Sequence, residues 1–309
     1  MFGSRRLRGM GVALAVASAV SLTACSTPST PTSKPQIVAS MYPFAFLASA
    51  IAGEDADVVT LVPPGTEPHD YELTPSQRAL LSQATLVVYQ EGINAAVDAA
   101  IAQAGAEHVV ETGSLVTLLR SSEGGVETTG ETHSDYAFDP HTWLDPRNMV
   151  TFANAVAVAI ATADPVNAAA YEANAAAVAT QLATLDAEYR TGLSGCQHST
   201  FITTHAAFGY LAKAYGLTQL AIAGVSPDEE PSPKHLAELA TTAKALNLNT
   251  VFFETLISPA YADTLAYDLG LRTDVLDPLE SVTTASRGTD YISIMTSNLQ
   301  SLREANGCP

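Results

Sequence analysis

The chain has 309 residues, with 14 Lys and Arg against 32 Asp and Glu, a formal charge of −18, and 47% apolar residues. That length supports one large domain or two ordinary ones. The acidic balance excludes a nucleic-acid partner, which needs a basic face, and favours the approach of cations; it equally serves the solubility of an exported protein.

The N-terminus reads as an export address. Arg5, Arg6 and Arg8 precede a short apolar core, Met10 to Val20, too short to span a bilayer. Leu22-Thr23-Ala24-Cys25 then looks like a bacterial lipobox, in which the Cys25 thiol is lipidated and becomes the mature N-terminus. Residues 1–24 are therefore expected to be a signal peptide. Residues 25–35, rich in Ser, Thr and Pro, are expected to be the lipidated Cys and a flexible tether. No later run reaches about 18 uninterrupted apolar residues, so the protein is expected to be extracytoplasmic and held to the membrane by lipid alone. Outside the cytoplasm the two remaining thiols, Cys196 and Cys308, are expected to form a disulfide.

From residue 36 onward, short apolar β-branched runs alternate with Ala/Leu-rich helical stretches. Strands are predicted at 36–40, 57–62, 85–89 and 107–110, then at 199–203, 218–222, 249–253 and 273–276. Continuously apolar strands separated by helices argue for an α/β fold with parallel sheets covered on both faces. Residues 146–193 hold no strand. Asp164-Pro165 is expected to cap and start a second helix there, Val166 to Tyr189, roughly 36 Å long. The expected layout is an N-terminal lobe at 36–164, a linking helix at 165–193 and a C-terminal lobe at 194–309, each lobe a four-stranded sheet. Residues 121–136 read as a mobile acidic loop in which His133 is solvated.

Four metal-capable side chains stand just past an apolar strand or at a helix start. They are His69 in GTEPHDYE, His141 in DPHTWLDP, His205 after FITT, and Asp277 after VL. Ligands bind beyond the carboxyl ends of strands in open parallel sheets, so two facing lobes would bring the four together. Three imidazoles and one carboxylate suit Zn2+, with Mn2+ or Fe2+ as alternatives preferring more oxygen. Taken singly, His205 also reads as a satisfied core histidine and His141 as a helix cap; His108, His198 and His235 read as surface or structural. No HExxH, GxSxG or P-loop motif is present. Pro63, Pro64 and Pro68 stiffen the His69 loop, and Glu67, Asp70 and Glu72 are candidates for supporting hydrogen bonds around it.

The chain resembles the metal-binding solute-binding lipoproteins of bacterial zinc and manganese ABC transporters. The resemblance runs from Ile37-Val38-Ala39-Ser40-Met41-Tyr42-Pro43 to the C-terminus. Its carriers are GTEPHDYE-L-TPSQ, DPHTWLDP, ITTHAAFGY (202–210), Glu230-Pro231-Ser232-Pro233 and Val275-Leu276-Asp277-Pro278-Leu279. It implies a monomeric, non-enzymatic binding protein with two lobes joined by a rigid long helix, little hinge closure, and a permease and its ATPase as partners. It also implies His69, His141, His205 and Asp277 as ligands. His at the third position looks zinc-like, where Glu would look manganese-like. The chain lacks the long His-rich loop of many zinc-specific members, which keeps manganese as the alternative. A surface adhesin and a metallohydrolase are the remaining rival readings.

Overall fold

The computed structural model describes residues 34–121, 137–256 and 258–309, and Lys34–Pro309 forms one compact unit. The leader, Cys25, most of the tether and the acidic loop with His133 lie outside the described residues.

Eight strands form two parallel sheets. In the first, β1 (Gln36–Ala39), β2 (Asp57–Thr60), β3 (Leu86–Tyr89) and β4 (Val109–Glu111) lie in the order β2-β1-β3-β4. In the second, β5 (Thr200–Thr203), β6 (Thr218–Ala221), β7 (Thr250–Phe253) and β8 (Arg272–Val275) lie in the order β6-β5-β7-β8. Each lies within two residues of its predicted run. The central strands are covered on both faces, which is why they read as unbroken apolar segments: Ile37, Val38 and Ala39 pair with both β2 and β3, and all three are buried.

The order has the same consequence in each sheet. The chain leaves the central strand in one direction for its second strand and in the other for its third. The crevice therefore opens between the ends of β1 and β3, and between the ends of β5 and β7.

The helices are α1 (Tyr42–Ala52), α2 (Pro75–Leu81), α3 (Ala95–Ala104), α4 (Pro146–Ala163), α5 (Ala168–Gly192), α6 (Gly209–Tyr215), α7 (Pro233–Ala245), α8 (Ala260–Leu269) and α9 (Tyr291–Asn306). The long helix begins at Ala168, later than expected. Asp164 ends α4 instead of capping α5, and its carboxylate accepts bonds from Asn167 Nδ2 at 2.8 Å and Tyr171 Oη at 2.7 Å. The turn that Asp164 closes, in which the Asn167 N–H also bonds the Asp164 carbonyl at 3.3 Å, intervenes before the helix resumes.

Helix α5 runs along α4 and α1 and also meets α9. One hydrophobic cluster joins Phe44, Phe152, Leu182 and Tyr189 to Phe201, Phe252, Leu276 and Tyr291. The two sheets thus share a packed core instead of hanging from a free spine. Cys196 and Cys308 are disulfide-bonded, tying the C-terminus to the segment that enters β5. Among the described residues no helix is long and apolar enough to cross a membrane.

Candidate metal centre

His69 lies in the loop between β2 and α2. Its backbone is held by Asn94, which caps α3 with its side-chain oxygen and donates Nδ2 to the carbonyls of Pro68 and Tyr71, both at 2.9 Å. Gln77 closes the other side of the loop by bonding the Leu61 carbonyl and Tyr71 Oη. Glu67 Oε1 accepts the His69 backbone N–H at 3.0 Å.

His141 precedes a single 3-10 turn, Thr142–Leu144, and Asp145 then caps α4 with Pro146 in its first turn. Asp139 Oδ1 accepts the His141 backbone N–H at 2.9 Å and stands 2.8 Å from its Nδ1. Thr142 Oγ1 donates to Gln90 Oε1 at the end of β3, tying the segment to the crevice of the first sheet.

His205 stands two residues past β5. Its carbonyl accepts from Thr203 Oγ1 at 2.7 Å and Gln219 Nε2 at 2.9 Å, and its Nδ1 is paired with Glu254 Oε1 at 2.5 Å. Glu254 is the first residue after β7, so this pair sits in the crevice of the second sheet.

The three imidazoles converge. His141 Nε2 and His205 Nε2 are 3.4 Å apart. Glu280 Oε1 lies 3.5 Å from His69 Nε2, 3.1 Å from His141 Nε2 and 3.4 Å from His205 Nε2. All four donor atoms lie within 4.8 Å of one another, and all four residues are buried. A tetrahedral Zn2+ with donors at about 2.0–2.1 Å has edges of about 3.3–3.4 Å, close to the three Glu280 separations and the His141–His205 one. Four carboxylate oxygens here, on Glu67, Asp139, Glu254 and Glu280, are buried without a hydrogen-bond partner. Buried carboxyl oxygens left in that state call for a partner, which a cation or a proton supplies.

The charges reinforce one another. Burial alone would lower the His141 and His205 pKa values, yet both are raised. Asp139 and Glu280 outweigh burial at His141, and Glu254 outweighs it at His205. Burial would raise Glu280, but the three imidazoles hold it well below the carboxylate range. Burial and the charge of Glu280 push Glu67 up to about 9.

The carboxylate beside the three imidazoles is Glu280, where Asp277 was expected. Asp277 is buried but outside the cluster, because its oxygens are committed: Oδ1 accepts the Leu279 N–H at 2.9 Å, and Oδ2 accepts Ser286 Oγ at 2.8 Å and Thr255 Oγ1 at 3.3 Å. Glu280, three residues on, reaches the histidines instead. Asp70 and Glu72 are exposed, with Asp70 meeting Asp228, whereas Glu67 buries its Oε2. The carboxylates beside the imidazole rings, Asp139 and Glu254, had legible signals. Asp139 stands two residues before a histidine, and Glu254 directly follows an apolar strand, as His205 nearly does.

The family model described as zinc-uptake complex component A, periplasmic (ZnuA), matches residues 37–305. The high-affinity zinc uptake system protein ZnuA of Bacillus subtilis is 37% identical over 279 residues, 88% of each chain. The zinc-binding lipoprotein AdcA of Streptococcus pneumoniae is 36% identical over 305 residues, 96% of this chain but only 61% of AdcA. The Zn(II)-bound ZnuA-like domain of that AdcA superposes with a TM-score of 0.74 at 35% identity, covering 88% of this chain and 99% of the domain. With two parallel sheets, a buried three-histidine cluster between them, and a match over nearly the whole described body, the chain belongs to the ZnuA family of zinc-uptake components.

Proposed function

We propose that this chain captures Zn2+ outside the cytoplasm and delivers it to an ABC permease and its ATPase. His69, His141, His205 and Glu280 are the ligands, two from each half of the chain. Residues 36–164 and 194–309 act as the two lobes, with 165–193 between them, and a lipid on Cys25 of the LTAC motif holds the protein to the membrane.

The observation that carries the reading is the donor set: three imidazoles and one carboxylate oxygen, all within 4.8 Å of one another in a buried site. Three nitrogens favour Zn2+ over Mn2+, which prefers oxygen. Four protein donors also fill a tetrahedral sphere, whereas a catalytic zinc keeps one position open for water. The shared core supports little closure on binding.

Isothermal titration of metal-stripped residues 26–309 with Zn2+ and with Mn2+ tests the proposal. One-to-one Zn2+ binding, much tighter than Mn2+ and weakened at least about a hundredfold in His205→Ala, is expected. Equal or tighter Mn2+ binding would move the protein to manganese capture. No stoichiometric binding of either ion would remove the site.

A further inference from the structure

The residue just before Glu280 has an unusual backbone. Leu279 has φ of 58°, in the left-handed region, and its side chain is fully buried. Asn247 is the other non-glycine residue at positive φ among those described, and it closes an ordinary helix end after α7. Leucine gains no local side-chain hydrogen bond from this conformation, so something else must hold the turn.

Asp277 does so. Its Oδ1 accepts the Leu279 N–H at 2.9 Å, closing an Asx turn around Pro278. Its Oδ2 is fixed in turn by Ser286 Oγ and Thr255 Oγ1. Its backbone is clamped by Asn298 of α9, which accepts the Asp277 N–H at 2.9 Å and donates to the Asp277 carbonyl at 2.7 Å. Trp143 Nε1 holds the next carbonyl, that of Pro278, at 2.7 Å. The turn is thus bound at every polar group up to the left-handed residue, and the chain leaves it with Glu280 directed at the three imidazoles.

We propose that Asp277 is a positioning residue for metal capture. It holds Leu279 in the left-handed conformation and thereby places the Glu280 carboxylate at the ion. The proposal rests on Glu280 being a ligand. Asp277 touches no metal itself, and its effect on affinity passes through the turn.

Zn2+ affinity measured by competition with a chelator, together with thermal unfolding of the metal-free protein, tests it. Asp277→Ala is expected to weaken Zn2+ binding about 10- to 100-fold. Asp277→Asn keeps an oxygen for the Leu279 N–H and is expected to stay within about threefold of the parent. Leu279→Gly, placed on Asp277→Ala, is expected to restore about tenfold, because glycine adopts the left-handed conformation without penalty. Leu279→Ile keeps side-chain volume but adds β-branching, and with Asp277 intact it is expected to weaken Zn2+ binding about tenfold.

Equal losses in Asp277→Asn and Asp277→Ala, with no rescue by Leu279→Gly, would make Asp277 a direct ligand and overturn the proposal. Undiminished affinity in Asp277→Ala would overturn it as well. Should Asp277→Ala not fold, Leu279→Ile decides, and unchanged affinity there sinks the idea. Glu280→Ala separates the two levels. If it binds Zn2+ like the parent, the four-residue site itself is wrong. If it loses binding while Asp277→Ala does not, only the positioning role fails.

Discussion

Trp143 donates its indole N–H to the carbonyl of Pro278 at 2.7 Å, joining the segment that bears His141 to the turn that bears Glu280. The Trp143 carbonyl accepts Tyr291 Oη at 2.6 Å, so α9 is drawn into the same link. Further bonds span the halves, among them Gly65 N–H to Ser281 Oγ at 2.6 Å, Leu119 N–H to Tyr210 Oη at 2.9 Å, and Tyr210 Oη to the Asp139 carbonyl at 2.9 Å. The donors are therefore held in register by the scaffold before any ion arrives, which limits the ordering cost of binding.

Trp143→Phe tests this. The ring still fills much of the core, but the buried Pro278 carbonyl loses its partner, at a cost of about 1–3 kcal/mol. A lower melting temperature and weaker Zn2+ binding are both expected. Reduced stability with unchanged affinity would show that the link supports the fold and not the site.

Glu254 accepts from Thr204 Oγ1 at 2.5 Å as well as pairing with His205 Nδ1. On the proposed function, it orients the ring, holds the proton on Nδ1 and leaves Nε2 for the ion. Glu254→Ala is expected to weaken Zn2+ binding about 10- to 100-fold with His205 intact. Chelator competition reads this directly, and Glu254→Gln, which keeps an acceptor but not the charge, should fall between.

Acid should oppose binding from an unusually high pH. His141 and His205 are raised above the ordinary imidazole range, so the metal-free site carries protons there that Zn2+ must displace from Nε2. Affinity is full above those raised values and falls as pH drops through them, by about tenfold per pH unit for each proton displaced. Titrations from pH 5 upward until the affinity levels off, in buffers of different ionisation enthalpy, give both the slope and the protons released.

Away from the site, burial pushes Asp98 up to about 6, with Glu91 and Glu111 adding to the rise. A carboxyl with a raised folded pKa contributes stability fully below its unfolded value, near 4, and that contribution is lost as pH rises through about 6. Asn cannot ionise and can still accept the Gly92 N–H, which Asp98 Oδ2 now accepts at 2.9 Å. Asp98→Asn is therefore expected to stabilise the protein at pH 8 by about 1 kcal/mol after allowance for solvent screening, and to be neutral near pH 4. Thermal unfolding at the two pH values checks the crossover.

The Cys196–Cys308 bond closes a span of 112 residues. Replacing both with Ser is expected to cost about 2–4 kcal/mol of stability. Neither cysteine stands near the donor cluster, so Zn2+ affinity of the folded variant should be unchanged. Denaturant unfolding and titration of the same sample separate the two effects.

Local chemistry made most of the body legible. Central parallel strands are buried on both faces, so Ile37–Ala39 or Phe201–Thr203 had to be written as apolar runs, and those runs announce a parallel sheet. His69, His141 and His205 were visible because a polar ring at the mouth of such a strand has few structural reasons to be there. What stayed hidden depended on a change of chain direction. Asp277 and Glu280 are three residues apart, and both are buried carboxylates. One faces a serine, a threonine and a backbone amide; the other faces three imidazoles. That difference comes from a left-handed leucine between them, held by partners 21 and 135 residues distant. The sequence by itself determined the class of fold and singled out three histidines that the structure brings together. The place of Glu280 beside them was decided by the tertiary structure, because the Asp277 turn that precedes it is itself clamped by Asn298 and Trp143, far away in sequence.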